Sequence, residues 1–254
     1  MCGRFAFYSP HEAVVRLFGL PADTPEVEPR YNVAPTTYVP AVREDVAATR
    51  RLAMLYWGLV PAWAKERSIG ARMINARAET LKEKPAFRNA YRRRRALVVA
   101  DGYYEWQTRG PRDKQPFFIQ PVSGSPFAFG ALWETWRDPA TGDPLESCSL
   151  ITTAAARDVA HIHDRMPVII PPAGYAEWLD PGNLDCDRLD RFLAPDSAGP
   201  MRARPVSRLV SNARNQGPQL IEPLPEPDPG LPLEAPQRDP DDDAPARDDD
   251  LFRS

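Results

Sequence analysis

The chain has 254 residues, 43% of them hydrophobic and 26% charged, enough for one substantial domain or at most two small ones of ordinary globular composition. No run approaches the ~18 apolar residues of a membrane span, and Met1-Cys2-Gly3-Arg4-Phe5 lacks the basic-then-apolar profile of a secretory signal, so a cytosolic protein is expected. The formal net charge of -3 hides an asymmetry: from Glu222 onward there are eleven Asp/Glu and three Arg, leaving 29 basic and 24 acidic residues in positions 1–221.

In chain order, Ser9-Pro10-His11-Glu12 reads as a helix start, with Ser9 as cap, Pro10 in the first helical position and Glu12 closing a capping box. Val14, Leu17 and Phe18 share a face, and Gly19 ends the helix. Met54-Leu55-Tyr56-Trp57-Gly58-Leu59-Val60 reads as a strand entering a loop at Pro61. Leu97-Val98-Val99-Ala100 and Tyr103-Tyr104-Glu105-Trp106 are strand-like runs around Asp101-Gly102, a turn signal. Residues 117–122 and 127–132 flank Ser123-Gly124-Ser125 in the same way, residues 147–153 and 168–170 are further apolar runs, and residues 173–179 and 189–193 suit short helices. Many short strands with few helices and no regular βαβ rhythm predict an α+β fold around a strongly bent, barrel-like sheet. Residues 222–254 are rich in Pro and Asp with little to bury, so a disordered acidic tail is expected after a domain spanning 2–221.

Chemistry begins at Cys2. An initiator Met before a small residue is normally excised, which leaves an α-amine and a thiol on adjacent carbons. Such a 1,2-aminothiol condenses with an aldehyde to an imine and then closes a thiazolidine ring; alternatively, an N-terminal Cys is the nucleophile of an amidohydrolase. A small buried Cys in an N-terminal strand is an equally good reading of its position. The three cysteines, Cys2, Cys148 and Cys186, have no CxxC spacing, which excludes a cysteine-rich zinc site. In Asn75-Ala76-Arg77, an amide and a guanidinium two residues apart on an extended segment face the same way. They suit orienting a nucleophile and holding a phosphate, or capping the helix that follows. Glu105 in an apolar strand is either a strand end at solvent or a partly desolvated acid. His161-Ile162-His163-Asp164-Arg165 holds two of three histidines without a third ligand at suggestive spacing, so no metal or other cofactor is expected, and a His beside Asp and Arg suits proton transfer near an anion. Trp57 and Trp63, around a Gly-Pro loop, stack on unpaired bases or belong to the core.

Met1-Cys2-Gly3-Arg4-Phe5, Arg30-Tyr31-Asn32-Val33-Ala34-Pro35, Trp57-Gly58-Leu59-Val60-Pro61, Asn75-Ala76-Arg77-Ala78-Glu79-Thr80, Asp101-Gly102-Tyr103-Tyr104-Glu105-Trp106 and His163-Asp164-Arg165-Met166-Pro167 occur in that order. Together they resemble the SOS response-associated peptidase (SRAP) family of abasic-site processing proteins, over residues 2 to about 220. The resemblance implies that Cys2 is the covalent nucleophile toward the opened deoxyribose and that Asn75 positions it. By the same resemblance, Glu105 shuttles protons and His163 assists ring opening. Arg4, Arg77 and Arg165 resemble phosphate contacts, and Trp57, Trp63 and Trp106 lie in motifs lining the DNA groove. The implied function is capture of abasic sites in single-stranded DNA by a monomer, with lyase activity and removal of its own Met1 as associated activities. A thiol peptidase or N-terminal-nucleophile hydrolase using Cys2, His163 and an Asn, and a non-covalent single-strand binder, are the competing readings.

Overall fold

Short apolar runs punctuated by Gly, Pro and Asp form thirteen strands and four short α-helices in this computed structural model, counted among the described residues, which are 2–45, 49–111 and 113–224. In chain order they are β1 (Phe5–Phe7), α1 (His11–Phe18), β2 (Arg30–Val33), β3 (Tyr38–Glu44), β4 (Arg50–Trp57), β5 (Asn75–Arg77), α2 (Arg88–Arg93), β6 (Arg95–Ala100), β7 (Gly102–Thr108), β8 (Lys114–Pro121), β9 (Phe127–Arg137), β10 (Pro144–Ala154), β11 (Arg165–Pro167), β12 (Ile169–Ile170), α3 (Tyr175–Leu179), α4 (Cys186–Leu189) and β13 (Met201–Pro205). Strands β10, β4, β3, β6 and β9 pair in that order, and β9 pairs back onto β10, which closes a five-strand barrel. Val39, Leu55, Trp57, Phe129, Cys148 and Leu150, all fully buried, belong to its core. A second sheet, ordered β13-β8-β7-β1-β2, abuts it. The α+β class and the bent, barrel-like sheet are as expected, and closure leaves the barrel without edges.

The two apparent hairpins are crossings between sheets. β6 pairs with β3 and β9 in the barrel, whereas β7 pairs with β1 and β8 in the other sheet. Likewise β8 and β9 share no pairing among the described residues. Asp101 therefore has a different task from a hairpin turn. It is buried, and its Oδ2 accepts the Tyr8 and Ser9 amides at 2.5 and 2.8 Å while Oδ1 accepts the Ser9 hydroxyl. Gly102 is required beside it, because a Cβ there would lie 2.1 Å from the Phe118 ring.

That contact also corrects the helix start. Ser9 is committed to Asp101, and α1 begins after Pro10 without a side-chain cap; Gly19 closes it in the left-handed region at φ 61°. The helix expected over 173–179 is a 3-10 turn, Pro172–Gly174, running into α3; that over 189–193 is the end of α4 continued by a 3-10 turn, Asp190–Leu193. Gly58, at φ 145°, lets two backbones touch: a Cβ on it would lie 2.8 Å from the Gly70 carbonyl oxygen.

Packing continues to Leu224. Leu220 is buried, Val206 bridges Pro223, and the Leu224 amide donates to the Pro205 carbonyl at 3.0 Å. The folded unit thus extends three residues past Ile221. The rest of the segment expected to be a disordered acidic tail, 225–254, lies outside the described residues.

Candidate functional site

The site lies where β10 outruns the barrel. One edge passes from β4, which pairs at Ser147 and Cys148, to β5 in parallel (Leu150↔Asn75, Thr152↔Arg77); the other passes from β9, which pairs up to Leu150, to β11 in antiparallel (Thr152↔Pro167, Ala154↔Arg165). This brings Asn75 and Arg77 to one edge and Arg165 to the other. The second sheet supplies the rest: β1 pairs with β7 at Phe5↔Tyr103, and the Tyr104 amide donates to the Arg4 carbonyl at 2.9 Å, which sets the chain before Phe5 beside Glu105.

Cys2 is fully buried, and the Asn75 amide nitrogen donates to its carbonyl at 2.8 Å. Because a carbonyl only accepts, this bond fixes the amide orientation. The Asn75 Oδ1 is then buried with no hydrogen-bond partner among the described residues. Burial pushes the Cys2 thiol well above its usual range, and the Glu105 charge pushes it further in the same direction. Glu105 is 4% exposed. Desolvation raises its carboxyl above the ordinary carboxylate range, and the neighbouring His163 offsets part of that rise. Cys2, Asn75, Glu105 and His163, singled out from four separate motifs, are thus one cluster.

His163 has a partner in either protonation state. Its Nδ1 accepts the Arg165 amide at 3.0 Å, which requires the lone pair of the neutral ring, and lies 2.8 Å from Asp164 Oδ1, an ion pair only for the imidazolium.

The arginines and tryptophans divide sharply. Arg77 is exposed, with no hydrogen bond from its guanidinium among the described residues, and faces the same way as Asn75. Arg165 is engaged: it forms a bidentate pair with Glu79 at 2.6 and 3.0 Å and donates to the Thr152 carbonyl at 2.7 Å. A phosphate would have to displace Glu79 to reach it. Arg4 is likewise committed, to Asn32 Oδ1 and the Val210 carbonyl at 2.7 and 2.8 Å, with its guanidinium 5.9 Å from the Trp106 ring centroid. Trp106 is half-buried and donates to Ser211 Oγ. Trp63 is 61% exposed and open to stacking. Trp57 requires a correction: it is fully buried, tilted against Phe5 at 5.3 Å, with its indole N–H on the Ile74 carbonyl. An indole so enclosed cannot stack on a base; its role is to join the barrel to the segment carrying Asn75.

Three neighbours went unnoticed in the sequence. Glu79 holds Arg165, which keeps its carboxyl below the usual range. Thr152 faces the same way as Asn75 and Arg77, with a buried Oγ1 lacking a partner among the described residues. Tyr103, two residues before Glu105 on β7 and therefore on its face, is fully buried, and its hydroxyl has no partner among the described residues. That period of two was available in the sequence; the orphan oxygens were not.

Comparison with known proteins agrees with this layout. The profile of the SOS response associated peptidase (SRAP) family matches residues 1–213. Abasic site processing protein YoqW of Bacillus subtilis is 44% identical over 224 residues, covering 87% of this chain and 99% of that protein. Abasic site processing protein YedK of Escherichia coli is 34% identical over 232 residues, covering 88% and 100%. A crystal structure of a protein from Bacteroides thetaiotaomicron superposes with a TM-score of 0.77 at 24% identity, covering 88% of this chain and all of that one, a likeness of fold. A phage-related protein from Bordetella bronchiseptica superposes with a TM-score of 0.64 at 32% identity, covering 82% and 95%. The chain belongs to the SRAP family.

Proposed function

We propose that this protein processes abasic sites in single-stranded DNA by capturing the lesion covalently through Cys2 once Met1 has been removed. The observation that carries the reading is the convergence on Cys2 of an amide that holds its carbonyl, Asn75, and a desolvated carboxyl, Glu105. While Met1 is attached, the nitrogen of Cys2 is an amide and cannot condense with an aldehyde. After its removal the α-amine is free to attack, and the unpartnered Asn75 Oδ1 is an acceptor suited to orient it.

An abasic sugar is a closed hemiacetal in equilibrium with a minor open aldehyde, and only the aldehyde reacts. His163, partnered in both protonation states, suits the proton transfer that opens the ring. The amine adds to the aldehyde carbon and water leaves, giving an imine. The Cys2 sulfur then adds to that carbon, and the imine nitrogen takes up a proton. A carboxyl beside the reacting atoms whose pKa burial raises above the ordinary carboxylate range holds a proton more readily than an exposed one, which suits Glu105 to both steps. Burial holds the Cys2 thiol protonated, the reverse of the stabilised thiolate that a thiol peptidase needs. The exposed Arg77 and Trp63 offer a phosphate contact and a stacking surface, neither of which depends on base identity, and this favours lesion recognition without sequence preference.

The test is a denaturing gel with a single-stranded oligonucleotide carrying one abasic site, together with the intact mass of the protein. Wild type lacking Met1 gives a heat-stable adduct, and Cys2→Ser leaves at most an imine that needs reductant to survive. Equal stable adduct from Cys2→Ser, or cross-linking by protein that fully retains Met1, overturns the aminothiol mechanism.

A further inference from the structure

Tyr103 poses a problem that its packing does not answer. It is fully buried in the main core beside Cys2 and Phe5, and its ring meets Phe129 edge-on at 6.2 Å. A phenylalanine would make those contacts equally well. The hydroxyl nevertheless has no hydrogen-bond partner among the described residues, and an unpaired buried hydroxyl is destabilising. Its position is specific. Tyr103 pairs across the strands with Phe5, three residues after Cys2, and shares the face of β7 that carries Glu105, about 7 Å along the strand. The phenol is electrostatically coupled to both Cys2 and Glu105, and burial keeps it protonated far above neutral pH, so its oxygen is a permanent donor.

We propose that the Tyr103 hydroxyl donates a hydrogen bond to the Cys2 sulfur as it becomes a thiolate, a third group acting on the nucleophile beside Asn75 and Glu105. This rests on the reading of Cys2 as the nucleophile. In the ring-closing step the S–H proton passes to the Glu105 carboxylate. The sulfur electron pair forms the C–S bond, the C=N π pair moves to nitrogen, and Glu105 returns the proton there. Tyr103 keeps its own proton throughout. It opposes the two influences that hold the thiol protonated, burial and the Glu105 charge. It adds to the Arg4 backbone amide, which already favours the thiolate.

The test is Tyr103→Phe, which removes one oxygen and leaves the shape. Cys2 is titrated in Met1-free protein without DNA by ultraviolet thiolate absorbance, each protein referenced to its own Cys2→Ser partner. The thiol of Tyr103→Phe is expected to titrate about one pH unit higher than wild type, with ring closure on abasic DNA about tenfold slower at neutral pH. Reductive trapping of the imine should be unchanged, and so should the melting temperature or it should rise. A thiol titration that does not move overturns the proposal, whatever the DNA assay gives. Wild-type protein that forms no adduct at all overturns the capture reading instead, and the titration still decides whether Tyr103 acts on Cys2.

Discussion

Two asparagines, each in a short motif with an arginine, are used in opposite ways. Asn32 is buried and its amide is saturated: Oδ1 accepts Arg4, and Nδ2 reaches the carbonyls of Val210, Asn212 and Asn215 at 3.2, 3.0 and 3.0 Å. Gln216 completes the clamp, accepting the Tyr31 and Asn32 amides and donating to the Asn32 carbonyl. Among the described residues the Asn75 side chain makes one bond, to Cys2, and its oxygen has no partner, in a buried place also shared by the Thr152 hydroxyl, which likewise has none there. A saturated network holds one conformation and has nothing to offer a ligand; an unsaturated one costs stability until a ligand completes it. The clamp around Asn32 ties residues 208–216 to the second sheet, whereas the cluster around Asn75 awaits a partner.

The comparison breaks most visibly at Glu105. If this carboxyl handles protons, Glu105→Gln should slow adduct formation by between about a hundredfold and ten-thousandfold at saturating DNA. Binding to an unreactive abasic analogue should stay the same, because a proton-transfer group acts on the barrier and not on occupancy. Stability should move the other way. The folded-state pKa of Glu105 is raised by burial, so its contribution to stability is present below the ordinary carboxylate pKa and is lost as pH rises through the folded value. Glutamine stays neutral. Glu105→Gln should therefore melt higher than wild type at neutral pH, with the difference closing in acid. A rate restored to wild type by saturating DNA would make Glu105 a structural or binding residue.

Asn32→Ala should do the reverse. It strips three carbonyls and an arginine of their partner, a loss of about 2–4 kcal/mol measured by denaturant unfolding. Well below its melting temperature the variant should still cross-link at close to the wild-type rate once DNA is saturating. Loss of chemistry with stability intact would place Asn32 in the site and dissolve the distinction between the two asparagines.

Local rules read from the sequence served where the structure obeys local physics. Gly19 in the left-handed cap, the apolar runs and the shared face of Asn75 and Arg77 all follow from backbone periodicity. Partner choice does not. Nothing near Asp101-Gly102 reveals that β6 and β7 belong to different sheets, since that depends on β3, β9, β1 and β8 lying elsewhere in the chain. β3 escaped notice because Pro40, Arg43 and Glu44 interrupt its apolar pattern. Its charges are balanced from other strands, Arg43 by Glu146 on β10 and Glu44 by Arg50 on β4. The same blindness governs the site. Trp57 and Trp63 look alike in the sequence, and only barrel closure buries one and exposes the other. The four chemistry-bearing residues are visible singly, and the resemblance gathers them; the engagement of Arg165 with Glu79 and the buried oxygens without partners depend on contacts between distant segments that no local pattern encodes.

The smallest predicted effect separates the two arginines of the site. Arg77 has no guanidinium hydrogen bond to lose among the described residues, so Arg77→Ala should leave unfolding stability within about 0.5 kcal/mol of wild type. If it meets a phosphate, its loss should lower affinity for every single-strand sequence alike and flatten the dependence of log K on log salt by about 0.7. Adduct formation should recover at low salt and high DNA concentration. Arg165→Ala should differ on both counts. Its side chain is 18% exposed and holds Glu79 and the Thr152 carbonyl, so removing it strands a carboxylate and destabilises the β10–β11 end. If Arg165 remains on Glu79 in the complex, its salt slope should stay at the wild-type value. Binding is to be followed on an unreactive abasic analogue at several salt concentrations, with unfolding measured alongside. A flattened slope for Arg165→Ala would show that DNA displaces Glu79 and takes the guanidinium. An unchanged slope for Arg77→Ala would mean that the exposed guanidinium beside Asn75 does not face the strand, and the proposed path of the DNA over β5 would have to be redrawn.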